Sequence, residues 1–215
     1  MDSVRKKPVL PYQAKAHPWH GVSLGKDWPE TGHAYIEVVP SDTVKYELDK
    51  DTGLLKIDRP QLFSNIYPSL YGMVPQTYCG ERIGEHCMRI INEKNIKGDG
   101  DPLDICVLTE KLVPHGDILL RARPIGGFRL IDDDEADDKI LAVLVDDAVY
   151  GHWDDIKNCP EIVIKRLEHF FLTYKQMPGS EEIHCRLAGR YDKEEAFEVI
   201  RLAHEDYLAT FELVE

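Results

Sequence analysis

Three carboxylates stand close together in Gly98-Asp99-Gly100-Asp101-Pro102-Leu103-Asp104, just ahead of the apolar run Ile105–Leu108. On an extended chain the side chains of Asp99 and Asp101 point the same way, and Asp104 points the other way. Pro102, flanked by Gly100, predicts a bend that swings Asp104 back beside them. Carboxylates so close repel unless something cationic sits among them. A hard divalent cation with oxygen ligands is the natural partner. A calcium loop of the helix-loop-helix type does not fit. Asp99, Asp101 and Glu110 match its first, third and twelfth positions, but Leu103 and Asp104 stand where an oxygen ligand and a glycine are needed, and the flanks read as strands.

A second acidic run, Asp132-Asp133-Asp134-Glu135-Ala136-Asp137-Asp138, ends in Lys139. Such runs are most often solvated loops. This one lies between two expected strands, and if it meets the first cluster at one end of a barrel the two would hold several Mg²⁺ ions. Cations and phenols complete the set. Lys45 and Glu47 share a strand face, Arg59 ends the next strand, Tyr67 and Tyr71 are four apart, and Tyr174 and Lys175 close a helix. Taken singly, each could be a core aromatic or a surface charge. Together they offer cations for phosphoryl oxygens, phenols to donate hydrogen bonds and carboxylates for metal, which is the equipment of phosphoryl transfer to water.

The elements that must position these residues are mostly short strands. Alternation predicts strands at His33–Val39 and Val44–Leu48, a turn at Asp49–Gly53 and a returning strand at Leu54–Asp58. Further strands are expected at Cys87–Ile91, Ile105–Thr109, Ile118–Arg123, Gly127–Ile131, Ile140–Val145 and Ile183–Leu187. Pro160 is placed to open a helix carrying Val163, Leu167, Phe170, Phe171 and Tyr174. Asp192 and Glu195 stand in capping-box positions for another, whose buried stripe is Ala196, Val199, Ile200, Ala203 and Tyr207. The reading is an α+β fold, an antiparallel β-barrel with two flanking C-terminal helices. Residues 1–215 form one domain, with 1–30 as an extended arm and 79–97 as a surface excursion.

Composition narrows the function. The 215 residues carry 26 Lys and Arg against 39 Asp and Glu, a net charge of −13. That disfavours affinity for nucleic acid or for an anionic membrane. A bare polyphosphate would also be repelled, but an acidic site loaded with Mg²⁺ inverts the local field. No apolar run reaches membrane-spanning length, the first residues show no secretory signal, and the expected location is cytoplasmic. The five cysteines form no CxxC pair and no disulfide framework, and Cys106, in the apolar run Ile105–Leu108, reads as a core residue. His17 and His20 in HPWH are more simply part of an arm that packs Trp19 on the body.

At these residues the sequence resembles the family I soluble inorganic pyrophosphatases. The matching pieces are Lys45-Tyr46-Glu47-Leu48-Asp49, Asp58-Arg59, Tyr67-Pro68 with Tyr71-Gly72, Asp99-Gly-Asp-Pro-Leu-Asp104, Arg123-Pro124-Ile-Gly126, the Asp132–Lys139 loop, and His169-Phe-Phe with Tyr174-Lys175. They follow the family's order across roughly residues 37–175, and the DGDPxD element is highly specific. The resemblance implies an OB-like barrel and Mg²⁺-dependent hydrolysis of pyrophosphate to two phosphates. It implies that Asp99, Asp104 and Asp137 hold the tightest metal, and that Glu37, Asp132 and Asp137 serve metals arriving with substrate. Asp101 would be the general base, acting with Lys45, Arg59 and Tyr67. Lys45, Arg59, Tyr71, Lys139, Tyr174 and Lys175 would bind phosphate, with Glu47 as a supporting carboxylate behind them.

Three departures from the family pattern stand out. Met73 replaces a usual aromatic residue, 79–97 is longer than in compact bacterial members, and Glu37 is one residue nearer Lys45 than in some. Family members form hexamers or dimers, so a homo-oligomer is expected. The alternative reading is a metal-dependent phosphoesterase acting on nucleotides, and a third is a non-catalytic ion- or phosphate-binding module. The last would have no use for a base among metal ligands.

Overall fold

The computed structural model describes residues 15–177, 179 and 184–212. In chain order its strands begin with β1 (Gly32–Val38), β2 (Val44–Leu48), β3 (Leu55–Pro60) and β4 (Leu70–Met73). Helix α1 (Glu81–Ile91) precedes β5 (Lys97–Gly98), β6 (Asp104–Leu108), β7 (Ile118–Asp132), β8 (Glu135–Ala136) and β9 (Lys139–Leu144). Helix α2 (Glu161–Thr173), β10 (Cys185–Asp192) and α3 (Lys193–Thr210) follow. Strands β1, β4, β6, β9 and β7 are hydrogen-bonded in that order, and β7 pairs back onto β1, closing a ring. This is the expected OB-like barrel, with one difference from an all-antiparallel ladder: β6 and β9 run parallel. Parallel neighbours need a long crossover, and β7 with β8 supplies it.

The two strands expected at Ile118–Arg123 and Gly127–Ile131 are one, β7. It bends at a bulge where its register against β9 shifts between Pro124 and Gly126. Proline cannot donate to the ladder, and Gly126 takes φ +151 with no room for a Cβ, which would meet the Tyr191 carbonyl oxygen at 2.4 Å. The bend lets one strand pair β1 with its first half and β10 with its second. A large core fills the barrel and runs under α1 and α3. A second core packs Ile164, Leu167, Phe170 and Phe171 of α2 on Phe128, Leu130 and Leu141 of the sheet.

Segment 79–97 is not a surface excursion, and Cys87–Ile91 is not a strand. Its centre is α1, so among the described residues three α-helices flank the barrel rather than two. Ile83, His86 and Cys87 are buried at helical spacing, which the short run Cys87–Ile91 does not reveal. No residue before α1 caps it. The cap comes from α3: buried Asp206 accepts from the backbone N–H of Gly80 (3.1 Å), Arg82 (3.2 Å) and Ile83 (3.2 Å), and from Arg82 Nη1 (2.9 Å). Asp206→Ala takes this acceptor from the Arg82 and Ile83 N–H groups, of which Ile83 is buried, while Gly80 N keeps the Tyr78 carbonyl oxygen, and is expected to cost about 1–3 kcal/mol, the range from an ordinary cap to a charged one. Urea unfolding measures the loss.

The other helices follow the sequence closely. Pro160 stands one residue before α2 as its N-cap. Asp192 caps α3 by accepting from Glu195 N at 3.3 Å, and the expected stripe from Ala196 to Tyr207 is buried. The Glu195 carboxylate does not close a capping box but turns to His86 and Arg129. In the arm, Trp19 is buried and donates to the Thr77 carbonyl oxygen at 2.7 Å. His17 and His20 have separate partners, the Lys50 carbonyl oxygen and the Tyr207 hydroxyl. The rest of the arm, residues 1–14, and Ile183 of the last expected strand lie outside the described residues.

Candidate active site

At one end of the barrel a cleft of about 210 Å³ collects every side chain expected to act as base, to hold metal or phosphate, or to support them. β1 brings Glu37, β2 brings Lys45 and Glu47, and β3 brings Arg59. Tyr67 precedes β4, which carries Tyr71. The loop before β6 holds Asp99 and Asp101, and β6 opens with Asp104. Asp132 ends β7, Asp137 and Lys139 lead into β9, and Tyr174 and Lys175 follow α2. Register makes this convergence: Asp104 pairs across the sheet with Met73 on one side and Lys139 on the other.

The acidic loop owes its shape to local bonds. Gly100 has φ +75, and Asp99 Oδ1 accepts from Asp101 N at 2.9 Å, an Asx turn. The loop backbone is pinned from behind. Cys79 N donates to the Asp101 carbonyl oxygen at 2.8 Å, and Leu103 N donates to buried Thr77 Oγ1 at 2.9 Å. The bend expected at Pro102 is thus set at Gly100, and it brings Asp104 to the same cleft as the other two.

The electrostatics are those of an overcrowded acidic site. Burial, reinforced by Asp137, pushes Asp99 up to about 8. Burial also pushes Glu37 up to about 8, against the Leu48 N–H that donates to it at 2.7 Å. Asp104 is raised by burial as well, although Lys139 opposes the shift. Lys139 is itself buried and still held well above its usual range, because Asp104 and Asp137 both accept from its ammonium. Lys175 donates to Asp132 Oδ2, while the other oxygen of that carboxylate is buried with no hydrogen-bond partner. Lys45 sits 3.0 Å from Glu47 and 3.1 Å from Asp58. Tyr71 donates to Asp104, and its ring leans on Tyr67 and Phe171.

This donor set fits hard cations: several carboxylates, two kept from ionising by burial and neighbouring charge, and one orphaned oxygen. A separate group, Asp155, Asp192 and Glu194, lies outside the cleft. Two of its members are engaged as caps, Asp155 on Lys157 N and Asp192 on Glu195 N.

Sequence reasoning gave no site role of their own to three residues here. Lys50 lines the cleft and is paired with Asp101, but read as part of a turn. Glu135 lines the cleft from β8. Asp58 accepts from Arg59 and neighbours Lys45, and only its place beside Arg59 hinted at this. Met73 lines the cleft and is buried in a cluster with Trp19, Tyr35 and Leu48, so aromatic rings contributed by other elements pack here in place of one at position 73.

Comparison with known proteins is consistent across sequence and structure. A family model described as inorganic pyrophosphatase matches residues 34–208. The inorganic pyrophosphatase of Chlamydia trachomatis is 57% identical over 200 residues, covering 91% of this chain and 96% of that protein. Soluble inorganic pyrophosphatase 1 of Arabidopsis thaliana is 40% identical over 166 residues, 77% of this chain and 69% of the relative. Among solved structures, the Thermus thermophilus inorganic pyrophosphatase superposes with TM-score 0.74 at 30% identity, covering 89% of this chain and 99% of that one.

Proposed function

This chain belongs to the inorganic pyrophosphatase family and is an enzyme of that class, a hydrolase of pyrophosphate; from that premise we propose that its cleft works with Mg²⁺ and with Asp101 as general base. The observation that carries the reading is the meeting of five candidate metal carboxylates with Lys45, Arg59, Lys139 and Lys175 in one cleft. Asp99, Asp104, Asp132, Asp137 and Glu37 would hold Mg²⁺, which supplies positive charge to the phosphoryl oxygens and acidifies the attacking water. Lys45 and Arg59 grip one phosphoryl group from the hairpin side, and Lys139, Tyr174 and Lys175 grip from the other. Asp101 accepts the proton of water as its oxygen bonds to phosphorus. The bridging P–O bond breaks and the second phosphate leaves with that electron pair. Tyr71 and Glu47 hold Asp104 and Lys45 in place, and Tyr67 packs the phenolic wall.

Phosphate release from pyrophosphate, ATP and an oligonucleotide, each with and without Mg²⁺, tests the reading. Release from pyrophosphate alone, and only with Mg²⁺, is expected. Preference for ATP would favour the nucleotide phosphoesterase instead. We place residues 1–215 in one domain, supported by the family match over 34–208. We place the protein in the cytoplasm as a homo-oligomer that takes neither nucleic acid nor membrane. The net charge of −13 and five free, buried cysteines support that placement, and no helix among the described residues is long and apolar enough to cross a membrane. Sedimentation at several concentrations tests the assembly.

Proton release accompanies metal binding. Without metal, Glu37 and Asp99 are pushed up to about 8 and hold protons at pH 7. Binding Mg²⁺ expels them, so affinity rises with pH until about 8. Calorimetric titration at pH 7 in two buffers of different ionisation enthalpy should give different apparent heats. The same shifts act on folding. In the unfolded chain these groups lose their protons near ~4. Between that point and about 8 the folded state binds more protons, so their contribution to the stability of the metal-free protein falls as pH rises across the window.

A further inference from the structure

Behind the cleft lies a chain of ionisable side chains that the reaction does not use, with Asp138, Arg129 and His86 buried and Glu195 half-buried. Asp138 stands between Asp137 and Lys139, which both line the cleft, yet it is itself buried and absent from the lining. Its Oδ2 lies 3.5 Å from Nη2 of Arg129 on β7, and Arg129 is equally buried. The same Nη2 donates to Glu195 Oε1 in the first turn of α3 at 2.6 Å. That oxygen lies 2.7 Å from Nε2 of buried His86 on α1. The ring of Tyr191 on β10 lies 5.1 Å from the guanidinium.

The pair is poorly made as a source of stability. Arg129 Nε is buried without a hydrogen-bond partner, while Asp138 is also approached by the Tyr191 hydroxyl, and a buried ion pair offsets its desolvation only when such groups are satisfied. Its geometry is more telling. Side chains alternate along extended chain, so a residue held on one side fixes its two neighbours on the other. Asp138 is the held residue, and Asp137 and Lys139 are the neighbours. Arg129 follows Phe128, which is the β7 partner of Lys139 in the ladder.

We propose that Arg129 is a positioning residue for the metal-binding wall: through Asp138 it keeps Asp137 and Lys139 aimed into the cleft, and through Glu195 and His86 it braces that wall against α3 and α1. The inference rests on the reading of Asp137 as a metal ligand. It gives the inserted helix α1 a part in the chemistry without contact with substrate.

The test is calorimetric titration of the metal-free full chain with MgCl₂, beside thermal melting. Arg129→Met should raise the Mg²⁺ dissociation constant about 10- to 100-fold, the usual effect of losing a group that orients a ligand. Arg129→Lys keeps the charge and loses the planar fork, so an intermediate shift is expected. It carries the test where Arg129→Met does not fold. Arg201→Met, which removes exposed ion pairs with Glu198 and Glu205 on α3, should leave the affinity alone. A folded Arg129 variant that binds Mg²⁺ like the wild type overturns the proposal, and so does an equal shift in Arg201→Met. If the wild type takes up no Mg²⁺, the metal reading itself falls and the proposal with it, an outcome told apart by the wild-type titration alone.

Discussion

Asp101→Asn is expected to lower turnover on pyrophosphate by ~10²–10⁴, the range for losing a general base. Asparagine is nearly isosteric, and the loop around it is held by backbone bonds that the substitution leaves untouched: Cys79 N to the Asp101 carbonyl oxygen, and Asp101 N to Asp99. Asp99 and Asp104 therefore keep their places. What disappears is a carboxylate able to take a proton from water. Metal lowers the pKa of bound water toward ~7, so residual activity should climb with pH as hydroxide replaces the base. The Lys50 ion pair with Asp101 gives the experiment an internal control. Lys50→Met removes the partner and keeps the base, so it should not reproduce the loss. Wild-type turnover in Asp101→Asn at neutral pH would remove Asp101 from the proton-transfer step.

Excess chelator should abolish activity, Mg²⁺ should restore it, and Ca²⁺ should not. Without a divalent ion, the lysines that would hold phosphate are spent on carboxylates. Lys139 is bound to Asp104 and Asp137, and Lys175 to Asp132. A pyrophosphate anion entering such a cleft meets like charge with its natural cations engaged. Ca²⁺ answers the charge but prefers a larger, looser shell than the small octahedral one of Mg²⁺. A chelated enzyme with full activity would remove metal from the mechanism, and Ca²⁺ supporting full turnover would remove the requirement for Mg²⁺ geometry.

Much of this was legible in the sequence because local signals and tertiary demand agreed. Val44–Leu48 alternates and is a strand, and the Ala196 to Tyr207 stripe is buried as its period says. The cleft residues were legible for a different reason. Clustered carboxylates at fixed offsets are costly without a ligand, so their presence points to one. The failures have physical causes too. Helix α1 begins at a glycine with no cap of its own, because its cap, Asp206, lies far along the chain. The bulge at Pro124–Gly126 looks like a break when read locally, and only the Tyr191 carbonyl packed against Gly126 shows why the strand runs through. Short strands such as β5 and β8 exist because they pair with each other and leave no period to detect. Lys50 is exposed in a turn, and nothing near it in sequence says that Asp101 will come to meet it.

The cap on α1 also bears on vectorial synthesis. A nascent chain emerges N-terminus first, and domains fold as units while it does. All five barrel strands lie before residue 145, so the ring can close before α2, β10 and α3 have emerged from the ribosome. The start of α1 cannot be completed then, since the carboxylate that satisfies it sits on α3, which is made after all the barrel strands. The same is true of Glu195, which joins His86 to Arg129. Ring closure can thus come early, whereas the bracing of the cleft's acidic wall waits until α3 has been made, and a chain terminated before α3 would hold a barrel whose active-site wall lacked its backing.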